Sequence, residues 1–439
     1  MPHRSRARPS AVRALLFVLA AGLPALGLLA ACGSVTPTGS TATSGPTSGS
    51  TSGDASSSAS SGATSLPTTG PGASPTPGTS PTGSPTPTPP PGPGLTWRRV
   101  AVPGVASSTG RVAIGPTRIV VAVESPAANG ASMGRIAFWS SSDTVHWIAA
   151  THVPAADDGV VTAIEAVGHG FVAVGTDAAV TKPRAWTSPD GRRFTESPAI
   201  AMGTAGATAG AMLSRGVGPD GLVAGGWVDG PAKRLAMAWV SADAGQTWRP
   251  SVVDGSGSSA RVLSVAAGGP GWVATGIRDA AAAFWVSRDG VAWVHLEPQP
   301  PVGGGFGAES SADAVACTVV RCAAVGQGPS AGDGWGWWSE APDRWNTVTA
   351  ADALVGGAAR CGVAFEGGFV AGGAGADGRF GIWTTADGRR WTASAASAPA
   401  GDPAGIVLDL AVDGPRIVAV GPPFGGGSGF AVWIGATAP

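Results

Sequence analysis

The chain has 439 residues, 13% of them charged, and a formal net charge of -1. A balance so close to zero excludes the strong field by which proteins grip nucleic acid or lie electrostatically on an anionic surface. Glycine (70) and proline (38) are in such excess that long helices are disfavoured and turn-rich β structure or disorder is expected. Tryptophan is abundant at 17, and tyrosine is absent. Lys182 and Lys233 are the only lysines beside 25 arginines, which with the alanine and glycine excess suggests the codon bias of a high-GC, actinobacterial type of genome.

Arg4, Arg6, Arg8 and Arg13 form a basic leader, followed by an apolar run from Ala14 to Ala31. This pattern reads as a secretory signal peptide over residues 1–31. The run ends Leu29-Ala30-Ala31-Cys32-Gly33, which resembles the bacterial lipobox. The resemblance implies cleavage before Cys32, a diacylglycerol on its sulfur, and anchoring to the outer leaflet of the cell membrane; plain secretion is the alternative. Each buried CH2 of such a chain is worth about 0.8 kcal/mol of membrane affinity, so two or three chains anchor stably. Residues 32–94 continue almost wholly in Ser, Thr, Gly, Pro and Ala, with Asp54 as the single charge. Such a stretch cannot bury a core, so it reads as a disordered linker. Its reach is on the order of 190 Å as polyproline, or ~45 Å as a flexible coil.

Beyond Gly94 one phrase recurs: a Trp, a small polar residue, an Asp-Gly type turn, then Trp or Phe. It runs Trp139 to Trp147, Trp186 to Phe194, Trp239 to Trp248, Trp285 to Trp293 and Trp383 to Trp391, with a degraded copy from Trp338 through Asp343 to Trp345. The steps between closing residues, 45 to 54 residues, are the length of a four-stranded propeller blade. A second element precedes each phrase, an alternating apolar run ending at glycine, as in Gly170-Phe171-Val-Ala-Val-Gly175 and Arg416-Ile417-Val-Ala-Val-Gly421. Each period therefore reads as strand, turn, strand, loop, Trp-strand, Asp-Gly turn and closing strand. The folded part begins Leu95-Thr96-Trp97, a closing strand without a Trp-strand, and ends Phe430-Ala-Val-Trp433-Ile434, a Trp-strand without a closing strand. Joined, they complete a seventh blade. The expectation for 95–439 is an all-β, seven-bladed β-propeller clasped by its own terminal strands.

Ser241-Ala-Asp243-Ala-Gly245-Gln-Thr247-Trp248 resembles the Asp-box of sialidases and related bacterial propellers, the BNR repeat, and the other copies are shortened versions. The resemblance spans the folded region and is specific for architecture. Asp in such a turn accepts backbone N–H bonds and Gly takes the positive φ. Asp143, Asp190, Asp243, Asp289 and Asp387 thus read as structural turn residues, each in a different blade. Sialidase activity, the enzymatic alternative, uses a tyrosine nucleophile that this chain lacks.

No catalytic or cofactor-binding motif is assembled. His146, His152, His169 and His295 are scattered singly, and Asp157-Asp158 is an acidic pair in a loop. No metal site is therefore expected. With Cys32 given to lipid, Cys317 and Cys322 can meet across one hairpin as a disulfide, leaving Cys361 in an inner strand; a Cys317–Cys361 link is the alternative. Arg135, Arg184, Arg234, Arg278 and Arg379 each precede a Trp-strand, which would place them on one face of the disc beside Lys182 and Lys233. Together they form a candidate anion-attracting ring for an acidic glycan or phosphate, with Trp227, Trp335 and Trp337 as candidate aromatic partners. Charged strand ends facing solvent are the structural alternative. The resulting expectation is a binding or scaffold lipoprotein of the cell envelope, its partner a glycan or a protein, with a glycan-directed hydrolase as the competing class.

Overall fold

The computed structural model describes residues 95–437, apart from 104, 106–108, 126–134, 154–158, 270, 298–308, 329–333, 349–353, 355–356, 366–367, 376–377, 379, 395–404 and 423–429. Cys32, Arg379 and the Asp157-Asp158 pair lie outside these residues, as does the side chain of His152. The described residues form seven sheets, antiparallel but for one added strand, and no helix. Their innermost strands, blades one to seven, are Gly110–Ile114, Gly159–Val167, Ala209–Gly218, Ala260–Gly268, Ser311–Cys317, Ala358–Phe365 and Asp409–Asp413. Each innermost strand contacts that of the next blade, and the seventh contacts the first, so the sheets close into a ring. The seven-bladed propeller expected from the repeat is the fold.

Closure is made by the two ends of the described chain. Leu95–Ala101 pairs antiparallel with Ala431–Thr437 over its whole length, from Leu95 opposite Thr437 to Ala101 opposite Ala431. Gly435 faces Trp97, whose ring comes within 3.0 Å of where a Cβ would stand, so the indole lies flat on the last strand. Phe380 of blade six then meets Trp97 edge-on at 5.3 Å and Trp433 at 5.0 Å.

One apolar cluster occupies each junction between blades. In every junction the Trp of the third strand shares its cluster with the preceding blade. Trp239 packs with Val172 and Val174, Trp285 with Ala236 and Ala238, and Trp433 with Val370 and Ile382. Trp186, Trp239, Trp285, Trp337 and Trp433 are among the largest fully buried side chains. Each buries on the order of 200 Å², worth at most roughly 5 kcal/mol of transfer free energy. Blade five corrects the sequence alignment. Ala324 pairs with Trp337, as Ala274 pairs with Trp285, so Trp337 holds the buried position assigned above to Trp338. Trp338, one residue on, faces the opposite side of the sheet and carries the Arg389 guanidinium 4.2 Å above its ring.

Two further departures from a uniform repeat are local. Between blades one and two the chain adds Thr151–Val153 as a fifth, parallel strand outside Arg193–Glu196. In blade five Cys317 and Cys322 stand opposite each other and form a disulfide across the hairpin, leaving Val319 and Val320 exposed at its tip. Cys361 is a buried free thiol in the inner strand of blade six.

The glycine of the second recurring element has a steric cause. In blades two to six the register slips at one place in the inner strand: between Val161 and Ala163, Met212 and Ser214, Val262 and Ser264, Ala312 and Ala314, and Ala359 and Cys361. Each slip is a β-bulge, which adds a residue and bends the strand. Opposite stand Gly175, Gly226, Gly276, Gly326 and Gly373, and a Cβ on any of them would overlap the carbonyl oxygen of Val160, Ala211, Arg261, Ser311 or Ala358. Gly421 of blade seven meets Ile406 in the same way, whereas blade one has Val123 opposite Gly110 and no slip. Blade six supplies an internal test. Gly373→Ala should lower the unfolding free energy by roughly 3 kcal/mol, because the obstacle is backbone. Gly362→Ala, whose Cβ would meet nothing nearer than 3.6 Å, should change it by less than about 1 kcal/mol. Equal urea midpoints for the two variants would refute the steric account.

Candidate functional site

The Asp-box residues lie in the turns between third and fourth strands, and their polar atoms face their own backbone. Ser241 Oγ accepts the Gly245 N–H at 2.8 Å, while Asp243 accepts the Thr247 N–H at 2.9 Å and its hydroxyl at 2.5 Å. Asp289 accepts from Val291 and Ala292, Asp190 from Arg192, Asp387 from Arg389, and Asp143 from Val145 and His146. The closing Trp completes the turn. Trp248 Nε1 donates to the Gly245 carbonyl at 3.0 Å and Trp293 Nε1 to that of Gly290 at 2.9 Å. Backbone donors, led by Ala292 for Asp289 and by Arg192 for Asp190, hold these carboxyls below the ordinary value. For Asp243 desolvation pulls upward, but the hydrogen bonds from Thr247 and Ser241 outweigh it. The five aspartates are spent on five separate turns, and among the described residues no group of three His, Cys, Asp or Glu side chains is arranged to hold a metal.

On the loops joining second and third strands, the arginines meet carboxylates. Arg184 makes a two-pronged contact with Glu196 of the same blade. Arg234 grips Asp229 through Nε and Nη2 at 2.8 and 3.1 Å and lies 3.8 Å above the Trp227 ring. Arg278 lies 2.9 Å from buried Asp254 of the preceding blade, without the alignment of a hydrogen bond, and donates to Ser256 at 3.0 Å. Arg135 is exposed at the start of its strand. The sequence-derived ring is thus not one of unpaired cations: three of its four described members are neutralised. Nor are its aromatic partners open platforms. Trp227 is 7% exposed beneath Arg234, Trp337 is fully buried, and Trp335 packs half-buried 6.0 Å from Trp337.

Nearer the axis lies a set of charges that the sequence reading passed over. Each innermost strand carries a charged residue: Arg111, Glu165, Arg215, Arg261, Asp313, Arg360 and Asp409 in blades one to seven, with Asp413 at the end of the last. The inner edge of such a strand has no sheet partner, so its backbone groups need other partners. Side chains from adjacent blades supply some of them. Asp409 Oδ2 accepts the Val112 N–H at 3.0 Å, and Ser264 Oγ, at the equivalent position of blade four, accepts the Val315 N–H at 3.1 Å. Arg111 donates through Nε to the Thr162 carbonyl, and the Thr162 hydroxyl donates to Met212 O at 2.7 Å. Arg215 donates to Ile164 O at 2.9 Å and lies 3.3 Å from Glu165.

Burial shapes the remaining charges. It pushes up the carboxyl of Asp313, against the hydrogen bonds of Ser311 and Gln327 and the fields of Arg360 and Arg261. It also raises Glu124, beside Arg111 and Thr109, and drives the Cys361 thiol far up, with the Asp409 charge adding to the effect. The sequence carries no local cue to these groups, because they fall at different register positions of the inner strands: Asp313 and Arg360 lie at the slip itself, whereas Glu165 and Arg215 follow it and Arg261 precedes it.

No protein-family model and no curated protein sequence matches the chain. Its fold is similar to solved propeller structures at low identity. YCF48 from Cyanidioschyzon merolae aligns at 13% identity and TM-score 0.47, covering 77% of this chain and 98% of that one. The BP39L lectin from Burkholderia pseudomallei aligns at 12% and 0.48, covering 75% and 96%. The acylaminoacyl peptidase of Pyrococcus horikoshii aligns at 9% and 0.43, covering 72% of this chain and 48% of its own length. We draw no function from these likenesses.

The lowered turn carboxyls make a prediction about acid. A carboxyl with a folded pKa below its unfolded value contributes stability above the unfolded value, 3.8 for Asp, and loses it as pH falls through the folded one. Asp289→Asn should therefore cost about 1 kcal/mol at pH 7. Its urea midpoint should converge on the wild-type value as the pH is taken down below 3.8 and through the lowered folded pKa. A deficit unchanged by pH would remove the carboxylate from this role.

Proposed function

We propose that this chain is a lipid-anchored protein of the cell surface whose propeller is a non-catalytic binding or scaffold module of the envelope. The observation that carries this reading is how the ionisable side chains are used. Asp229, Asp254 and Glu196 are held by arginines, Asp409 by a backbone N–H and Asp313 by Gln327 at 2.8 Å. Groups held in this way stiffen the blades and keep their loops in place, which suits presentation of a fixed surface to a partner. The near-neutral charge argues for an envelope glycan or protein as that partner and against nucleic acid. The lipobox at Cys32 and the linker to residue 94 supply the anchor and the reach.

A glycan hydrolase is the second reading, favoured by the raised carboxyls of Glu124 and Asp313, since a general acid needs such a shift. Their blades, one and five, are not neighbours, and Asp313 is bonded to Gln327. The absence of tyrosine removes the sialidase nucleophile.

Two measurements decide. Cys32→Ala should abolish incorporation of a palmitate analogue and move the protein from the membrane fraction to the medium; retention in the membrane would overturn the anchor. The purified full chain should bind one or more glycans of a cell-wall array without cleaving fluorogenic glycosides. Turnover abolished by Asp313→Asn or Glu124→Gln would establish the hydrolase instead.

A further inference from the structure

In each blade the turns between first and second strands and between third and fourth lie at one face of the disc, and the chain enters the propeller at that face. Ala436 stands opposite both Thr96 and Arg416, and Arg416 follows the first turn of blade seven. Leu95, where residues 32–94 join the fold, therefore sits beside that turn. The exposed apolar side chains share this polarity. Among the large ones in the described residues, Val145, Val319 and Val320 stand in turns of the entry face and Val217 stands next to one. The others, Ile148, Val252 and Val294, lie on outermost strands, and none occupies a loop of the opposite face.

Val319 is the most exposed of them at 92%, and blade five builds a fixed tip beneath it. The Cys317–Cys322 disulfide staples the base of the turn, and both sulfurs abut Gly268 of blade four, where a Cβ would overlap them. The Thr318 N–H donates to the Arg321 carbonyl at 2.8 Å. The Thr318 hydroxyl oxygen accepts the N–H groups of Val320 and Arg321 at 3.4 and 3.2 Å. Three of the turn's four N–H groups are thus bonded within it, and what it mainly offers outward is two valine side chains. A sugar or a pairing strand draws on free polar groups, whereas hydrocarbon penalises every one left unbonded.

We propose that the Val319-Val320 tip is a membrane contact, dipping into the lipid leaflet to which the chain is anchored. This rests on the lipid anchor of the reading above. Two valines hold a bilayer only weakly by themselves, but an anchored chain makes the contact intramolecular. A linker of some 60 residues imposes no orientation; the tip does. Because the linker enters at the same face, the tip reaches lipid without the chain passing round the disc. Arg321 closes the turn, where its charge can lie among headgroup phosphates while its stem follows the apolar surface. The face that carries the loops between second and third strands then points away from the membrane, towards a glycan or protein of the envelope.

The test is photo-crosslinking of the full chain, purified from membranes and placed in vesicles of phosphatidylethanolamine and phosphatidylglycerol. The probe is introduced as Val320→benzoylphenylalanine or, on the opposite face, as Ala232→benzoylphenylalanine, both residues being exposed. The probe at 320 should attach phospholipid at least about fivefold more than the probe at 232. Adding Val319→Asp to the chain probed at 320 should cut that yield by about the same factor, because a carboxylate resists entry into hydrocarbon. Its melting temperature should not change, since residue 319 touches no core, so loss of labelling is not loss of fold. Equal labelling from both positions, or no loss with Val319→Asp, would overturn the contact. So would attachment of the 320 probe in whole cells to a protein instead of lipid. Flotation with the vesicles reads the anchor separately. A chain that floats but is not labelled at 320 keeps its anchor and loses the tip contact; a chain that carries no lipid and does not float loses both.

Discussion

A backbone carbonyl pushed into the space where the opposite residue would carry its side chain sets the shape of most blades. The bulge that displaces it bends the inner strand and increases its twist, which helps flat sheets converge round an axis. It is tolerable because the second strand carries a glycine at that point, as Gly226 stands opposite Met212. The same convergence brings unpaired strand edges close together. Their N–H and C=O groups are then taken up by side chains such as Asp409, Thr162 and Arg111. Apolar closure and polar closure are thus two results of one distortion, with the junction tryptophans filling the wedge further out.

Charge in this protein is distributed by a similar rule. Among the described residues, several charges have a partner in the same or the adjacent blade: Glu196 for Arg184, Asp254 for Arg278, Glu165 for Arg215. Half-buried pairs of this kind contribute modestly to stability, and the bidentate one, Arg184 with Glu196, also fixes geometry.

Much of the architecture was legible because it repeats. The Trp-bracketed phrase carries the blade count, and the incomplete fragments around Trp97 and Trp433 carry the closure. Cys317 and Cys322 stand opposite each other because a two-strand hairpin separated by a short turn leaves them nowhere else to go. What escaped was non-periodic or relational. Trp337 and Trp338 are adjacent, and a degraded turn around Pro342 removed the cue that would have told inward from outward, a one-residue ambiguity in a pattern of period two. Thr151–Val153 is too short to announce a fifth strand. The pairing of Arg234 with Asp229 spans a loop and that of Arg278 with Asp254 spans two blades, so neither could be read from spacing alone. The counter-charges that neutralise the loop arginines lie across loops and blades, where spacing along the chain does not reveal them.

The clasp also orders events in time. The Thr96 side chain donates to the carbonyl of Ala436, 340 residues further along the chain. At ~5–20 residues per second, the first strand waits roughly 20 to 70 s for its partner to be synthesised. Throughout that interval the face of blade one that will meet Val418, Val420 and Val432 has nothing to pack against. Completion of the ring is therefore the slowest contact the chain can make, and until it forms an apolar edge stays available to chaperones, proteases and other copies of the same chain.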